Sequence, residues 1–180
     1  MNKIVDNLNK EVSFLEQFGV FEVEKPYVAV EKEAENRFSD IYIEVVNKET
    51  DELKKEGNHT FLKEGMESLL KNKENYLYVE SKNFELIRME ALVLEIDDLF
   101  DTYEAIFGLY APKKAINEIK EYFKDEKFSI MFNDKDGLWD VNLALDNLEG
   151  FSKDVTLEEA LQIIYKYIFT LQMSLQGNEK

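Results

Sequence analysis

The chain has 180 residues, with 38 Asp and Glu against 22 Lys and Arg, a net charge of −16, no Cys and a single His. That inventory excludes a disulfide framework, thiolate chemistry and His-rich metal centres, and the Lys residues are interleaved with Glu rather than clustered as phosphate binding requires. Disorder of the whole chain is excluded as well, because 44% hydrophobic residues, including 13 Phe and 9 Tyr, suffice for a sizeable core.

In chain order, Ile4, Val5, Leu8, Val12, Leu15 and Phe18 recur at helical spacing and Gly19 stands where a helix would stop, which predicts an amphipathic helix. Residues 20–30 alternate in part, with Pro26 demoting the start to an edge or bend. Residues 37–46 (RFSDIYIEVV) alternate better, so the two segments are expected as an antiparallel strand pair. The charged stretch 47–58 (NKETDELKKEGN) is nearly devoid of apolar residues and reads as a mobile surface loop. Phe61, Leu62, Met66, Leu69 and Leu70 then predict a short helix, weakened by Gly65.

Residues 76–80 and 84–96 are strand candidates, the second containing the continuous apolar run ALVL of a central buried strand, with helix as the competing reading. Leu99, Phe100, Tyr103, Ile106 and Phe107 have helical periodicity, predicting a helix over 97–107 that ends at Gly108. Pro112 suits the first turn of a further helix whose inward face is Ala115, Ile116, Ile119, Tyr122 and Phe123. Segments 128–132 and 138–145 flank Asn133-Asp134-Lys135-Asp136-Gly137, a hairpin signal, because Asp and Gly adopt turn conformations that other residues resist. Finally, Thr156-Leu157-Glu158-Glu159 is a capping box, and Leu157, Leu161, Ile164, Ile168, Leu171 and Leu175 follow in steps of four and three, predicting a long closing helix.

This order lacks regular strand–helix alternation and predicts an α+β fold: a mainly antiparallel sheet, helices on one face, and a long closing C-terminal helix. With no Pro/Gly/Ser-rich linker, residues 1–176 are expected as one domain and 177–180 as a disordered tail. The N-terminus lacks the basic and continuous apolar regions of a signal peptide, and even ALVLEIDDLF is interrupted by Glu95, Asp97 and Asp98, so a cytoplasmic protein is expected. Abundant Lys, Asn and Ile beside only Arg37 and Arg88 point to an AT-rich genome.

Three constellations resemble chemistry. Asp134-Lys135-Asp136-Gly137 is like the centre of a calcium loop, but placing Gly137 at the sixth position puts Phe132 first and Leu143 twelfth, neither of which ligates. On a helix, Asp97, Asp98, Asp101 and Glu104 would gather carboxylates at spacings of three and four; they are the candidate divalent-metal ligands, weighed against ordinary helix N-terminal capping. His59 lies at a loop-to-helix junction with no orienting partner in sequence, and no Gly-x-Ser-x-Gly or phosphate-binding Gly-rich loop occurs. No catalytic residue and no cofactor is therefore expected.

Two features point to association. Tyr165, Phe169 and Met173 lie outside the Leu/Ile seam of the closing helix, making it apolar nearly all round and fit for burial within its own domain or against a second copy. Trp139 sits just past the hairpin turn and is of the residue type over-represented at interface hot spots. In size, charge and α+β character the chain is similar to small acidic proteins that shield a partner, such as immunity proteins, antitoxin-like inhibitors and secretion chaperones. The expected function is thus a non-catalytic acidic interaction module with a protein partner, a basic one by charge complementarity, or a homodimer through the C-terminal helix. Nucleic acid and membranes are not expected partners. A small-molecule or divalent-metal binder, with weak hydrolase activity, is the alternative.

Overall fold

The computed structural model describes residues 37–177, so the expected helix over 4–18, the expected strand over 20–30 and residues 178–180 lie outside the described residues. The strands are β1 (Tyr42–Asn47), β2 (Leu53–Gly57), β3 (Asn75–Glu80), β4 (Met89–Ile96), β5 (Tyr103–Leu109), β6 (Phe128–Asn133) and β7 (Leu138–Ala144). The α-helices are α1 (Glu67–Lys71), α2 (Lys82–Leu86), α3 (Ile116–Phe123) and α4 (Leu157–Gly177), with 3₁₀ turns at His59–Lys63 and Lys113–Ala115. All strand pairs are antiparallel, in the order β2-β1-β3-β4-β5-β7-β6, and the helices pack on one face: the expected α+β architecture. No described helix is long and apolar enough to cross a membrane.

Residues opposite one another in neighbouring strands share a face. The register Ile43↔Val79↔Leu92, Leu94↔Ala105↔Leu143 and Phe107↔Val141 therefore builds one continuous apolar face. All of these side chains are buried. β4, carrying the ALVL run, is the middle strand, as the unbroken apolar stretch predicts. Across this face lies α4, whose Leu157, Leu161, Ile164, Ile168, Leu171 and Leu175 are all buried. Its capping box is reciprocal: Thr156 N donates to Glu159 Oε2 at 2.8 Å and Glu159 N to Thr156 Oγ1 at 3.2 Å.

Several expectations are corrected. Stretch 47–58 is a β-hairpin arm, not a loop: Asn47 Oδ1 accepts from Glu49 N and Thr50 N at 3.0 Å each, and the chain returns as β2. β2 sits at the sheet edge with nearly every side chain in water, so it needs no apolar alternation. β2 and β3 take both sides of β1, and the antiparallel partner expected at 20–30 lies outside the described residues. The single helix expected after Phe61 is split into a 3₁₀ turn and α1. Between them Gly65 bridges to Thr156, with Met66 N donating to Val155 O at 2.9 Å. Segment 84–96 contains the end of α2 before β4 begins.

The largest correction concerns 97–107, which is a turn followed by β5 rather than a helix. Tyr103, Ala105, Phe107 and Leu109 are buried while Glu104 and Ile106 face the other side, a period of two. Asp97 caps a turn rather than the expected helix: its Oδ1 accepts from Leu99 N at 2.9 Å and Phe100 N at 2.7 Å. The cap opens a hairpin turn, closed by Asp97 N donating to Thr102 O at 2.9 Å.

Candidate functional site

With the helix over 97–107 gone, the carboxylates assigned to a metal do not converge. Asp97 is spent on the turn backbone. Lys48 lies 3.4 Å from Asp98, and Lys73 pairs with Asp101. Glu104 stands on β5 two residues past Thr102 of the turn, opposite Glu95 in the β4–β5 register, and accepts from Asn142 Nδ2 at 3.2 Å. Among the described residues no group of three or more His, Asp or Glu side chains is placed to hold a metal ion. The Asp134–Gly137 segment is the hairpin turn expected, with Asn133 Oδ1 accepting from Lys135 N and Asp136 N, and Gly137 at φ +70°. His59 is exposed at the start of its 3₁₀ turn, after the capping Asn58.

Of the residues expected at an interface, Trp139 is 2% exposed and packs edge-on against Phe132 at 5.1 Å. Tyr165 is 6% exposed, with its ring 6.4 Å from both Phe38 and Phe84 and parallel to Phe169 at 6.1 Å. Both belong to the core rather than to an available surface. Phe169 and Met173 are half-buried.

What the sequence reading missed is the sheet face opposite the described helices. Alternate residues of β1, β3, β4 and β5 place there Tyr42, Glu44, Tyr76, Tyr78, Glu80, Glu90, Glu95 and Glu104, joined by Glu56 from β2 and by Tyr110 just past β5. The phenols donate to these carboxylates: Tyr42 OH to Glu44 at 2.9 Å and Glu56 at 3.0 Å, Tyr78 OH to Glu80 at 2.8 Å, and Tyr110 OH to Glu90. Val93 and Ile106 lie half-buried between them. The signal was present as Tyr and Glu at every second position, in YIE and in YLYVE.

The hydrogen bond to Glu44, helped by partial burial and by Glu56, holds the Tyr42 phenol well above its ordinary range. Partial burial and the bond to Glu80 push Tyr78 up to about 12. Glu95 is raised mainly by burial; Lys48 opposes this and Glu104 adds to it. Glu80 and Glu90 each accept one phenolic proton, Glu44 and Glu56 share the single proton of Tyr42, and all four keep their remaining lone pairs for water or a cation. Chemically the face is an array of aromatic rings and oriented acceptors in which carboxylates outnumber cations, with the Arg88 guanidinium 5.9 Å from the Tyr110 ring centre and Lys48 near Glu95.

A second feature is a cavity of about 360 Å³ between the β1–β3 strands and the segment from the 3₁₀ turn to α1, walled by Val45, Phe61, Leu69 and Leu77. Asn75 and Lys55 also line it, and Asn75 Oδ1 is buried without a hydrogen-bond partner. Comparison with protein-family models, with curated proteins and with solved structures finds no match for this chain.

Proposed function

We propose that the protein is a non-catalytic interaction module whose Tyr/Glu sheet face receives a basic protein surface. The observation that carries this reading is the pairing of Tyr42, Tyr78 and Tyr110 with glutamates on the sheet face opposite the described helices. A Lys or Arg side chain arriving there meets fixed carboxylate acceptors beside aromatic rings, combining charge-assisted hydrogen bonding with cation–π attraction. The net charge of −16 adds long-range steering toward a positive partner.

The test is salt-graded capture of partners from the source lysate, repeated with the triple substitution Glu44→Gln, Glu80→Gln, Glu90→Gln. A basic protein that binds at low salt, is released at high salt and is not retained by the triple variant supports the reading. Capture that is indifferent to the substitutions refutes it.

A small-molecule reading rests on the separate observation of the cavity. Val45, Phe61, Leu69 and Leu77 give it apolar walls and Lys55 and Asn75 polar ones, which suits a compact ligand with an apolar body and a few polar groups. Ligand-observed NMR with small aromatic amides, against Asn75→Leu as control, tests it; equal signals for both proteins remove this reading.

A further inference from the structure

Among the described residues the two edges of the sheet, β2 and β6, are unlike. β2 carries Lys54, Lys55 and Glu56, and the β1–β2 register slips between Val45 and Val46, both devices that discourage strand addition. At the other edge β6 reads FSIMFN: six residues with no charge, Pro or Gly, in a chain one-third charged, paired to β7 without a register shift. Met131 on this strand is 65% exposed.

Which backbone groups β6 offers follows from its ladder. Ala144 N donates to Lys127 O at 2.9 Å, and 127↔144 continues the β6–β7 register, so the groups of residues 127, 129, 131 and 133 point to β7. The N–H and C=O of Phe128, Ile130 and Phe132 therefore point out of the sheet. Phe128, Ile130 and Phe132 also share the helix-side face, opposite Leu143, Val141 and Trp139, while Ser129 and Met131 lie on the other.

We propose that β6 is a self-pairing edge, joining two copies of this chain antiparallel about a two-fold axis at Ile130. In that register Ile130 meets Ile130 of the second copy, Phe128 meets Phe132, and Ser129 meets Met131. Every outward N–H then faces an outward C=O, and every opposed pair lies on one face, so hydrogen-bond phase and side-chain direction are satisfied together. A shift of one residue breaks both, because it sets outward groups against inward ones and Phe128 against Asn133. The same patch serves both copies, as a closed two-fold contact requires, and the Phe128–Phe132 contacts are of a favourable cross-strand type. A second copy suits this edge better than a charged strand, because the edge has no charge to complement.

This inference is independent of the Tyr/Glu face, and salt separates the two. Copies each carrying −16 repel, so screening strengthens the pair, whereas it weakens capture of a basic partner. Sedimentation equilibrium in about 0.5 M NaCl, where the Debye length is only about half its physiological value, should give twice the 21.2 kDa monomer mass. Ile130→Pro removes an outward donor while sparing the β7 ladder, and should return the monomer with its circular dichroism intact. The exposed double substitution Ser129→Glu, Met131→Glu sets like charges directly opposite and should do the same, even if the proline variant fails to fold. Mixing that variant with Ser129→Lys, Met131→Lys should restore a mixed dimer. A chain that stays monomeric at all salt concentrations overturns the proposal, as does a dimer that survives the acidic pair or a mixture that fails to associate.

Discussion

The Gln172 side chain donates its Nε2 to the carbonyl oxygen of Ile87 at 3.2 Å, joining α4 to the chain just before β4. The same nitrogen lies 3.2 Å from the carbonyl oxygen of Tyr110, just past β5, so one amide bridges the ends of two adjacent central strands. Gln172 is 2% exposed, and water cannot replace it. Gln172→Leu keeps the volume but strands the buried Ile87 acceptor, a loss of about 1–3 kcal/mol, and unpairs the part-buried Tyr110 carbonyl. A chemical denaturation midpoint equal to that of the parent would refute this role.

Gly57 ends β2 where the Phe61 ring closes over the hairpin. A Cβ built there meets Phe61 ring carbons at 2.3 and 2.4 Å, and the ring is 7% exposed with Lys55 Nζ 4.5 Å from its centre. Gly57→Ala is therefore overpacked and should cost about 1–3 kcal/mol, with the thermal midpoint falling accordingly. Adding Phe61→Leu should recover part of the loss, because a smaller side chain leaves the space the new methyl needs. Two losses that simply add would mean the sites do not clash.

How far the sequence revealed this molecule depends on burial. α4 was legible because its apolar seam and capping box agree, and β6–β7 because the turn residues lie between two apolar arms. β2 was illegible because an edge strand bathed in water needs only hydrogen bonds to β1, and those leave no mark on side-chain choice. The helix reading of 97–107 failed for another reason. Leu99 is 83% and Phe100 64% exposed at the turn, and counting them with Tyr103, Ile106 and Phe107 produced a helical period from residues that face different surroundings. That error carried the metal expectation with it, since Asp101 and Glu104 share a face only on a helix. The Tyr/Glu face was visible residue by residue, but assembling it required the strand order, which depends on pairings far apart in the chain.

Glu95 offers a test through pH. Its carboxyl is raised above the ordinary range by burial, with Glu104 opposite it in the register. A raised folded pKa means the fold prefers the protonated form, so Glu95 favours folding below the unfolded value of about 4.5 and loses that advantage as pH rises through the folded value. At pH 7 the fold carries a charged carboxylate that it disfavours. Glu95→Gln should therefore raise the melting temperature at neutral pH, and the gain should vanish near pH 4, where Glu95 is itself neutral. A gain that persists unchanged at low pH would assign the effect to packing instead.

The tyrosines make the complementary prediction at alkaline pH. Tyr42, Tyr78 and Tyr110 are all raised, Tyr78 to about 12, so their contribution to stability is fully present below pH 10 and is lost as pH rises through the folded values. The causes differ in order: the bond to Glu44 leads at Tyr42, whereas partial burial leads at Tyr78 and the bond to Glu80 comes second. Glu44→Gln should accordingly bring the Tyr42 titration down substantially, although Glu56 still accepts from the same phenol at 3.0 Å. Glu80→Gln should move Tyr78 less, because its burial is unchanged. NMR titration of the ring carbon bearing each hydroxyl resolves the residues separately. If neither phenol moves, burial and not the carboxylates governs the whole face, and the oriented acceptors on which a basic partner depends are lost from the reading.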